Sequence, residues 1–162
     1  MLLLSGMVMC LLSAGRQNEA IECGRRALEI DPNFHLVLIH MGLAQLGAGK
    51  PEDAVGSFRR AREVAPWVHV GAGCLAAAYY SVGDYERSNE IAGQFVRPGS
   101  LHFGHAVYYA AAGEADAMFE ALEGAYGRRD LYLLFVGCVR QFDPYREDPR
   151  FRNLLRKMNL VD

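Results

Sequence analysis

Few residues in this sequence have the types and spacing that catalysis or metal binding requires. His102 and His105 are spaced i, i+3, so on a helix both imidazoles would share one face and could act as metal ligands. No cysteine or carboxylate stands at a matching spacing nearby, and packing within a helical hairpin is the alternative interpretation. The sequence contains no glycine-rich phosphate loop, zinc-protease motif or serine-nucleophile elbow. We therefore expect no enzymatic activity, no cofactor and no metal.

A cluster of charged residues near the C-terminus has the residue types of an acid–base site. It contains Asp143, Arg146, Glu147, Asp148 and Arg150. A general acid or base needs a pocket, and the sequence supplies no partner nucleophile. We favour a loop and helix cap whose charges pair with one another and with helix ends.

Composition and charge exclude several other functions. Apolar residues make up 51% and charged residues 22% of the 162 residues, which is typical of one globular domain or a short solenoid. The net charge of −2 gives no basic surface for nucleic acid, so we interpret the pairs Tyr79-Tyr80 and Tyr108-Tyr109 as hairpin packing, with base stacking as the alternative. The cysteines, which are Cys10, Cys23, Cys74 and Cys138, have no metal-site spacing and are predicted to be buried apolar residues of a cytoplasmic protein.

The first residues, Met1 to Leu12, are strongly apolar and need separate interpretation. No basic residue precedes Arg16, which argues against a signal peptide. The stretch is also shorter than the roughly 20 residues of a membrane span. We predict that it forms the first helix of a repeat and that the chain has no membrane partner.

The chain repeats with a period of 34 residues. Gly15, Gly49 and Gly83 lie 34 apart, and the same spacing relates Ala20 to Ala54, Ala27 to Ala61 and Pro32 to Pro66. Each position has a physical reason within a helical hairpin. The glycine suits a left-handed residue between two helices, the alanines suit close helix crossing, and the prolines end the second helix.

These columns resemble the tetratricopeptide repeat, whose pattern has small residues, aromatics and a proline at fixed positions. The second repeat, His35 to Val68, matches best, with Met41-Gly42, Ala54, Phe58, Ala61 and Pro66. The third departs at Ser88, at Phe95 and at Arg97-Pro98-Gly99, where its connection is shortened. The resemblance implies an all-α protein, a right-handed superhelix of helical hairpins covering residues 1–34, 35–68, 69–98 and 99–130, followed by terminal helices over 131–162.

The C-terminal residues resemble the ending of tetratricopeptide arrays in bacterial multi-domain regulators, where the arrays follow cyclase, kinase or winged-helix domains. The matching residues are Phe142-Asp143-Pro144, Arg146, Asp148-Pro149-Arg150-Phe151 and Leu154-Leu155. Asp148 is a plausible N-cap with Pro149 in the first turn, and Phe151, Leu154, Leu155 and Met158 form one apolar helix face. This pattern predicts a capping helix. For Leu131 to Val139 we favour a helix over a strand, since the next hairpin is due there.

Function is expected on the concave face, which the first helix of each hairpin lines. The register predicts this lining: Leu2, Ser5, Met9, Leu12, Leu36, Ile39, Leu43, Leu46, Val70, Ala77, Tyr80, Phe103, Val107 and Ala110. Such a groove suits a hydrophobic peptide or an amphipathic helix. The basic and amide residues with which some relatives bind acidic chaperone tails are missing, so those tails are not the expected partner.

We therefore expect a protein-interaction or scaffold module. Two alternatives stay open: the chain is the regulatory C-terminal part of a larger signalling enzyme or transcriptional regulator, or it is a homo-oligomerisation module. A contiguous exposed apolar strip would be a liability, so we expect a further domain or a second copy to cover the groove if no peptide does.

Overall fold

The computed structural model describes residues 2–95 and 102–160, and within these residues the chain is helical and forms no strand. The helices are α1 (Leu2–Ser13), α2 (Gln17–Ile30), α3 (His35–Gly47), α4 (Pro51–Val64), α5 (His69–Ser81), α6 (Tyr85–Phe95), α7 (Phe103–Ala112), α8 (Ala115–Gly127) and α9 (Pro149–Lys157). Two 3₁₀ helices, Leu131–Phe135 and Arg140–Tyr145, lie between α8 and α9. The predicted all-α class is confirmed. None of the described helices has the length and apolar character needed to cross a membrane.

The helices pack in consecutive pairs: α1 on α2, α3 on α4, α5 on α6 and α7 on α8. The first helix of each pair also contacts the first helix of the next, so α1, α3, α5 and α7 form one layer. Helix α3 begins at His35 and α5 at His69, the residues at which the period of 34 starts a new repeat.

Left-handed glycines join the two helices of each pair, as the period predicts. Gly15, Gly49 and Gly83 have φ values of +71°, +72° and +82°. Gly113, between α7 and α8, has a φ of +80°. A side chain disfavours this backbone region, and glycine adopts it without cost. Pro51 occupies the first turn of α4, where its missing N–H leaves no helical hydrogen bond unmade.

The small-residue columns are buried where the helices cross. Ala20, Ala27, Ala54 and Ala61 are at most 2% exposed. Ser88 is fully buried at the equivalent place in α6, and its hydroxyl donates to the Ala76 carbonyl oxygen at 2.8 Å. Because the hydroxyl is hydrogen-bonded, serine replaces alanine here without leaving a buried polar group unpaired. The Phe95 side chain and Arg97-Pro98-Gly99, where the third repeat departs from the pattern, lie outside the described part of the chain.

The C-terminal residues follow the sequence prediction in one part and depart from it in another. Asp148 caps α9 by accepting a hydrogen bond from the Arg150 N–H, and Pro149 begins the helix, as predicted. Leu131–Val139, predicted to be helical as part of a further hairpin, contains only the 3₁₀ helix 131–135 followed by turns. Asp130 sets this geometry, because its carboxylate accepts the N–H groups of both Tyr132 and Phe103 at 3.0 Å.

The cysteine prediction is partly wrong. Cys74 and Cys138 are buried and Cys23 is half-buried, but Cys10 is exposed. Cys10 lies on the side of α1 that no described helix covers.

Helices α5 and α7 approach each other unusually closely at two glycines. An added Cβ on Gly73 would lie 2.3 Å from the Gly104 backbone, and one on Gly104 would lie 2.7 Å from the Val70 carbonyl oxygen. Both separations are below any normal carbon contact, and the obstructing atoms belong to the main chain. The layer of first helices can therefore form here only with glycine on both sides.

We expect Gly73→Ala to lower the free energy of unfolding by about 2–3 kcal/mol, because the methyl group forces two backbones apart. Gly71→Ala is the matched control in the same helix, since a Cβ there meets nothing within 4 Å. That control should be neutral or stabilising by up to about 1 kcal/mol. Urea unfolding measures both, and equal stability of the two variants would contradict the close contact.

Candidate functional site

The predicted groove is covered by the chain's own residues. Residues 131–145, here called the return segment, leave α8 and pack against α1, α3 and α7. The Cys138 thiol lies 3.6 Å from the Ser13 carbonyl oxygen, and the Gln141 amide nitrogen lies 3.3 Å from the Ser81 hydroxyl. The Tyr145 hydroxyl lies 3.4 Å from the Ala110 carbonyl oxygen.

The contacts of the return segment fall at equivalent positions of successive repeats. The return segment meets the C-terminal ends of the first helices in order: α1 at Ser13, α5 at Ser81, then α7 at Ala110. Gly47 ends α3 between them, and an added Cβ there would lie 2.8 Å from the Cys138 carbonyl oxygen. Ser13, Gly47 and Ser81 are 34 residues apart. The return segment therefore contacts the same position in three successive repeats.

The return segment is held by apolar anchors. Phe135, Val136, Val139 and Phe142 are at most 1% exposed. Complete burial of such side chains contributes about 1.5–3 kcal/mol each, or roughly 6–12 kcal/mol together. That sum is comparable to the whole unfolding free energy of a typical domain, about 5–15 kcal/mol. Removal of the segment would therefore cost about as much as unfolding, and the inner face beneath it is part of the core.

The predicted groove residues divide into three sets. Leu2 is exposed, whereas Met9, Leu36 and Tyr80 are half-buried. The remaining residues are buried in the core: Ser5, Leu12, Ile39, Leu43, Leu46, Val70, Ala77, Phe103, Val107 and Ala110. The groove is therefore not open along its length, because the chain itself buries ten of the fourteen predicted residues. The role of these residues in partner binding stays a prediction.

One part of the inner face remains open, between α1, α3 and the start of the return segment. A cavity of about 190 Å³ lies there, lined by Ser5, Gly6, Met9, Leu36, His40, Leu131, Tyr132 and Phe135. The His40 side chain is 7% exposed, and its ring packs edge-on to Phe135 at a centroid distance of 5.5 Å. Burial lowers the pKa of His40 to about 4, so the imidazole is neutral at physiological pH.

Three described residues, His40, His102 and Gln141, have a buried side-chain atom without a hydrogen-bond partner, and His40 is the one that lines this cavity. Its Nδ1 is buried and has no hydrogen-bond partner among the described residues. Leaving such a nitrogen unpaired costs about 1–3 kcal/mol. His40 is not among the groove residues predicted from the sequence. The sequence signal that could have identified His40 is its position as a polar residue within the apolar sequence of α3.

Exposed apolar side chains collect around this cavity. Leu2 is 78% exposed and lies on the same face of α1 as Gly6 and Met9. Leu131 is 65% exposed and lines both the cavity and a shallow depression that contains Leu134. We call Leu2, Leu131, Leu134 and the cavity beside Leu131 the docking surface. Patches of this kind commonly mark contacts with other molecules.

A second cleft lies between α4, α5 and α6. Its floor is formed by Leu75, Tyr79 and Ile91, and its rim carries charged residues. Several of those charges already have partners, since Arg62 bonds Gln94 and Arg87 pairs with Asp84. The cleft offers no buried unpaired group comparable to His40.

The charged cluster and the paired histidines have structural partners. Arg146 pairs with Asp143 at 2.8 Å, Arg150 pairs with Asp148 and Asp116, and Arg152 pairs with Glu147. The His102 N–H donates to Nδ1 of His105 at 3.2 Å, so this pair caps α7. Across residues 2–95 and 102–160, no group of three or more side chains is placed to hold a metal ion.

Comparison of the chain with models of known protein families and with curated proteins finds no match.

We expect Phe142→Ala to lower the free energy of unfolding by about 3–5 kcal/mol, because the ring is fully buried against Phe103 and Phe151. Leu134→Ala in the same return segment is the control and should cost less than about 1 kcal/mol, since Leu134 is 47% exposed. Chemical denaturation followed by circular dichroism measures both. Loss of the segment's hydrogen-exchange protection without loss of overall stability would contradict its place in the core.

The burial of His40 also makes stability depend on pH. Its pKa is about 4 in the folded chain and about 6.5 when unfolded, so between these values the unfolded state binds more protons. The free energy of unfolding should fall as the pH drops from 6.5 to 4. His102, whose pKa burial lowers to about 3, acts in the same direction.

His40→Leu should reduce this loss by up to roughly 3 kcal/mol. Urea unfolding at pH 7, 5.5 and 4.5 tests it. An unchanged pH dependence in the variant would show that His40 protonates freely in the folded chain.

Proposed function

We propose that this chain is a protein-interaction module that binds an apolar segment of a partner protein at the docking surface. The observation that carries the proposal is exposed Leu131 at the edge of an apolar cavity, with exposed Leu134 in the adjoining depression and exposed Leu2 one turn before cavity-lining Gly6. Covering three such side chains contributes several kcal/mol, since each fully buried leucine is worth about 1.5–3 kcal/mol.

We also propose that the paired helices form a right-handed superhelix of the tetratricopeptide type. The 34-residue spacing of left-handed glycines and the buried alanine columns support this assignment. In such a superhelix the layer of first helices is the concave side. The docking surface then consists of the part of the concave side that the return segment leaves open together with Leu131 and Leu134 of that segment, and it is smaller than the binding site expected from the sequence.

The chemistry of the site favours an apolar partner. Every cavity-lining residue is uncharged, given a neutral His40. A charged partner group placed there would lose its hydration without gaining a counter-charge. An amphipathic helix or an extended apolar peptide meets these conditions, and its polar side can remain in water.

Selection of peptides from a displayed library against the full chain tests the proposal. Selected peptides should be apolar, and Leu131→Glu should weaken their binding at least tenfold. Ile30→Glu is the matched control, because Ile30 is also an apolar residue, 68% exposed, but lies on α2. Failure to select any peptide, or equal loss in both variants, would contradict the proposal.

Light scattering separates this function from self-association. If the docking surface joins two copies of the chain, the mass will double at micromolar concentration and Leu131→Glu will restore the monomer. That result would replace partner binding with homo-oligomerisation as the function of the surface.

A further inference from the structure

Helix α1 carries a second exposed apolar surface, on a different side from Gly6 and Met9. Leu3, Met7, Cys10 and Ala14 follow the spacing i, i+4, i+7, i+11, which places their side chains in one row along a helix. Leu3 is 86% exposed, Met7 is 54% exposed, and Cys10 and Ala14 are exposed as well. The Ala14 N–H donates to the Cys10 carbonyl oxygen at 3.0 Å, so helical geometry extends through the row. We call these four residues the α1 stripe.

The same positions are helix-packing surfaces in the next two repeats. The equivalent residues, all buried, are Val37, Met41 and Ala44 in α3 and Gly71, Leu75 and Ala78 in α5. In α3 the cover comes from α1 and α2. Met41 packs on Gly24 of α2, since a Cβ added to that glycine would lie 3.2 Å from the Met41 sulfur. The period therefore indicates that the α1 stripe is a surface for packing against another helix.

The α1 stripe has no charge that favours its contact with water. Helix α1 contains no charged residue along its whole length. Beside the stripe lies a groove of about 430 Å³ between α1 and α2, which Met7 and Leu11 line together with Glu22 and Arg26. An apolar row with charged residues at its flank is the arrangement of a helix–helix interface.

The α1 stripe is complementary to itself. We consider two α1 helices that lie antiparallel about a two-fold axis between Met7 and Cys10. Leu3 then faces Ala14 of the other copy, and Met7 faces Cys10 of the other copy. Each large side chain meets a small one, as Met41 meets Gly24 inside the chain. A parallel pair would place Leu3 against Leu3 and Ala14 against Ala14, which holds the helices apart at one end.

The opposite end of the chain does not offer a surface for the α1 stripe. Helix α9 covers α8, and its exposed residues include Arg152, Arg156 and Lys157. Burial of these cations against an uncharged stripe would remove their hydration without supplying a counter-charge. Copies therefore do not stack end to end through α1, and a contact between two stripes closes after two copies.

We propose that two copies of this chain form a two-fold dimer in which the α1 stripes pack antiparallel. One helix from each copy buries less than the roughly 800 Å² per partner of a standard interface. We therefore expect a weak dimer, with a dissociation constant of roughly 1–100 µM. Leu131 and Leu134 lie outside the stripe, so the inference does not depend on the proposed function.

Sedimentation equilibrium of the full chain from about 1 to 500 µM tests the dimer. The mass should rise from 18.0 kDa toward twice that value. Met7→Glu should weaken dimerisation at least about tenfold, because it places a carboxylate in an uncharged interface. Leu131→Glu is the matched control, since Leu131 is also apolar and 65% exposed but lies outside the stripe. Circular dichroism should show that both variants keep their helicity.

Three outcomes would overturn the proposal. A monomeric wild-type chain throughout the concentration range would assign the α1 stripe to a helix of a different protein. A dimer that Leu131→Glu dissociates and Met7→Glu does not would assign self-association to the docking surface. A mass that continues to rise beyond two copies would show open stacking in place of a closed pair.

A pair of opposite charges tests the antiparallel register. Leu3→Lys and Ala14→Glu should each weaken the dimer when made alone. The two positions are about 16 Å apart along one helix, so the new charges do not pair within a copy. In the antiparallel dimer they face each other twice, and the double variant should dimerise roughly threefold to tenfold more tightly than either single variant. Additive losses in the double variant would overturn the antiparallel arrangement.

The dimer and the partner-binding function fail separately. Peptides selected against the docking surface should bind Met7→Glu as tightly as the wild-type chain, whether or not the wild-type chain dimerises. If no peptide is selected while Met7→Glu dissociates a wild-type dimer, the dimer stands and the module function is wrong.

Discussion

Two helices of this chain must be buried on every side, and most of the structure follows from that requirement. In α3 the residues from Val37 to Leu46 are all buried, and in α5 the buried residues extend from Val70 to Tyr79 with one half-buried exception. A helix that is apolar all round needs cover on all its faces. The second helix of each pair covers one side of the first helix. Helices α2 and α4 are amphipathic, so their charged residues face water. The neighbouring first helices supply further cover, which for α5 is chiefly α7, and the return segment completes it on α3.

The shape of the return segment follows from the spacing of the helices that it covers. Packed helices lie about 8–10 Å apart. An α-helix rises 1.5 Å per residue, so three or four residues span only about 5–6 Å. A 3₁₀ helix rises about 2.0 Å per residue, and extended residues span more. The segment nevertheless reaches Ser13 with Cys138, Ser81 with Gln141 and Ala110 with Tyr145. The extended residue Val139 leads into the 3₁₀ helix Arg140–Tyr145, and this helix carries the segment from Ser81 to Ala110.

The parts of the structure that were predictable from sequence depend on local signals. The left-handed glycines and the helix ends before Pro32 and Pro66 each concern a few neighbouring residues and recur with the period, and the Asp148 cap is equally local. The cover of the inner face depends on contacts such as Cys138 with Ser13, which are 125 residues apart in the chain and leave no local pattern. The approach of Gly73 to Gly104 was missed for the same reason, since neither glycine lies in a turn. The apolar inner face was predictable, but the segment that covers it was not.

The difference between covered and uncovered apolar surface limits where a partner can bind. A groove whose walls are also the core cannot be opened without loss of the fold, so the apolar character of α3, α5 and α7 is no evidence for an external ligand. Apolar character indicates binding only where the chain leaves it uncovered. Around α1 the return segment covers one side of the cavity with Tyr132 and Phe135 and leaves Leu2 and Leu131 in water. Apolar cover is therefore incomplete around this cavity, and an apolar segment of a partner would complete it.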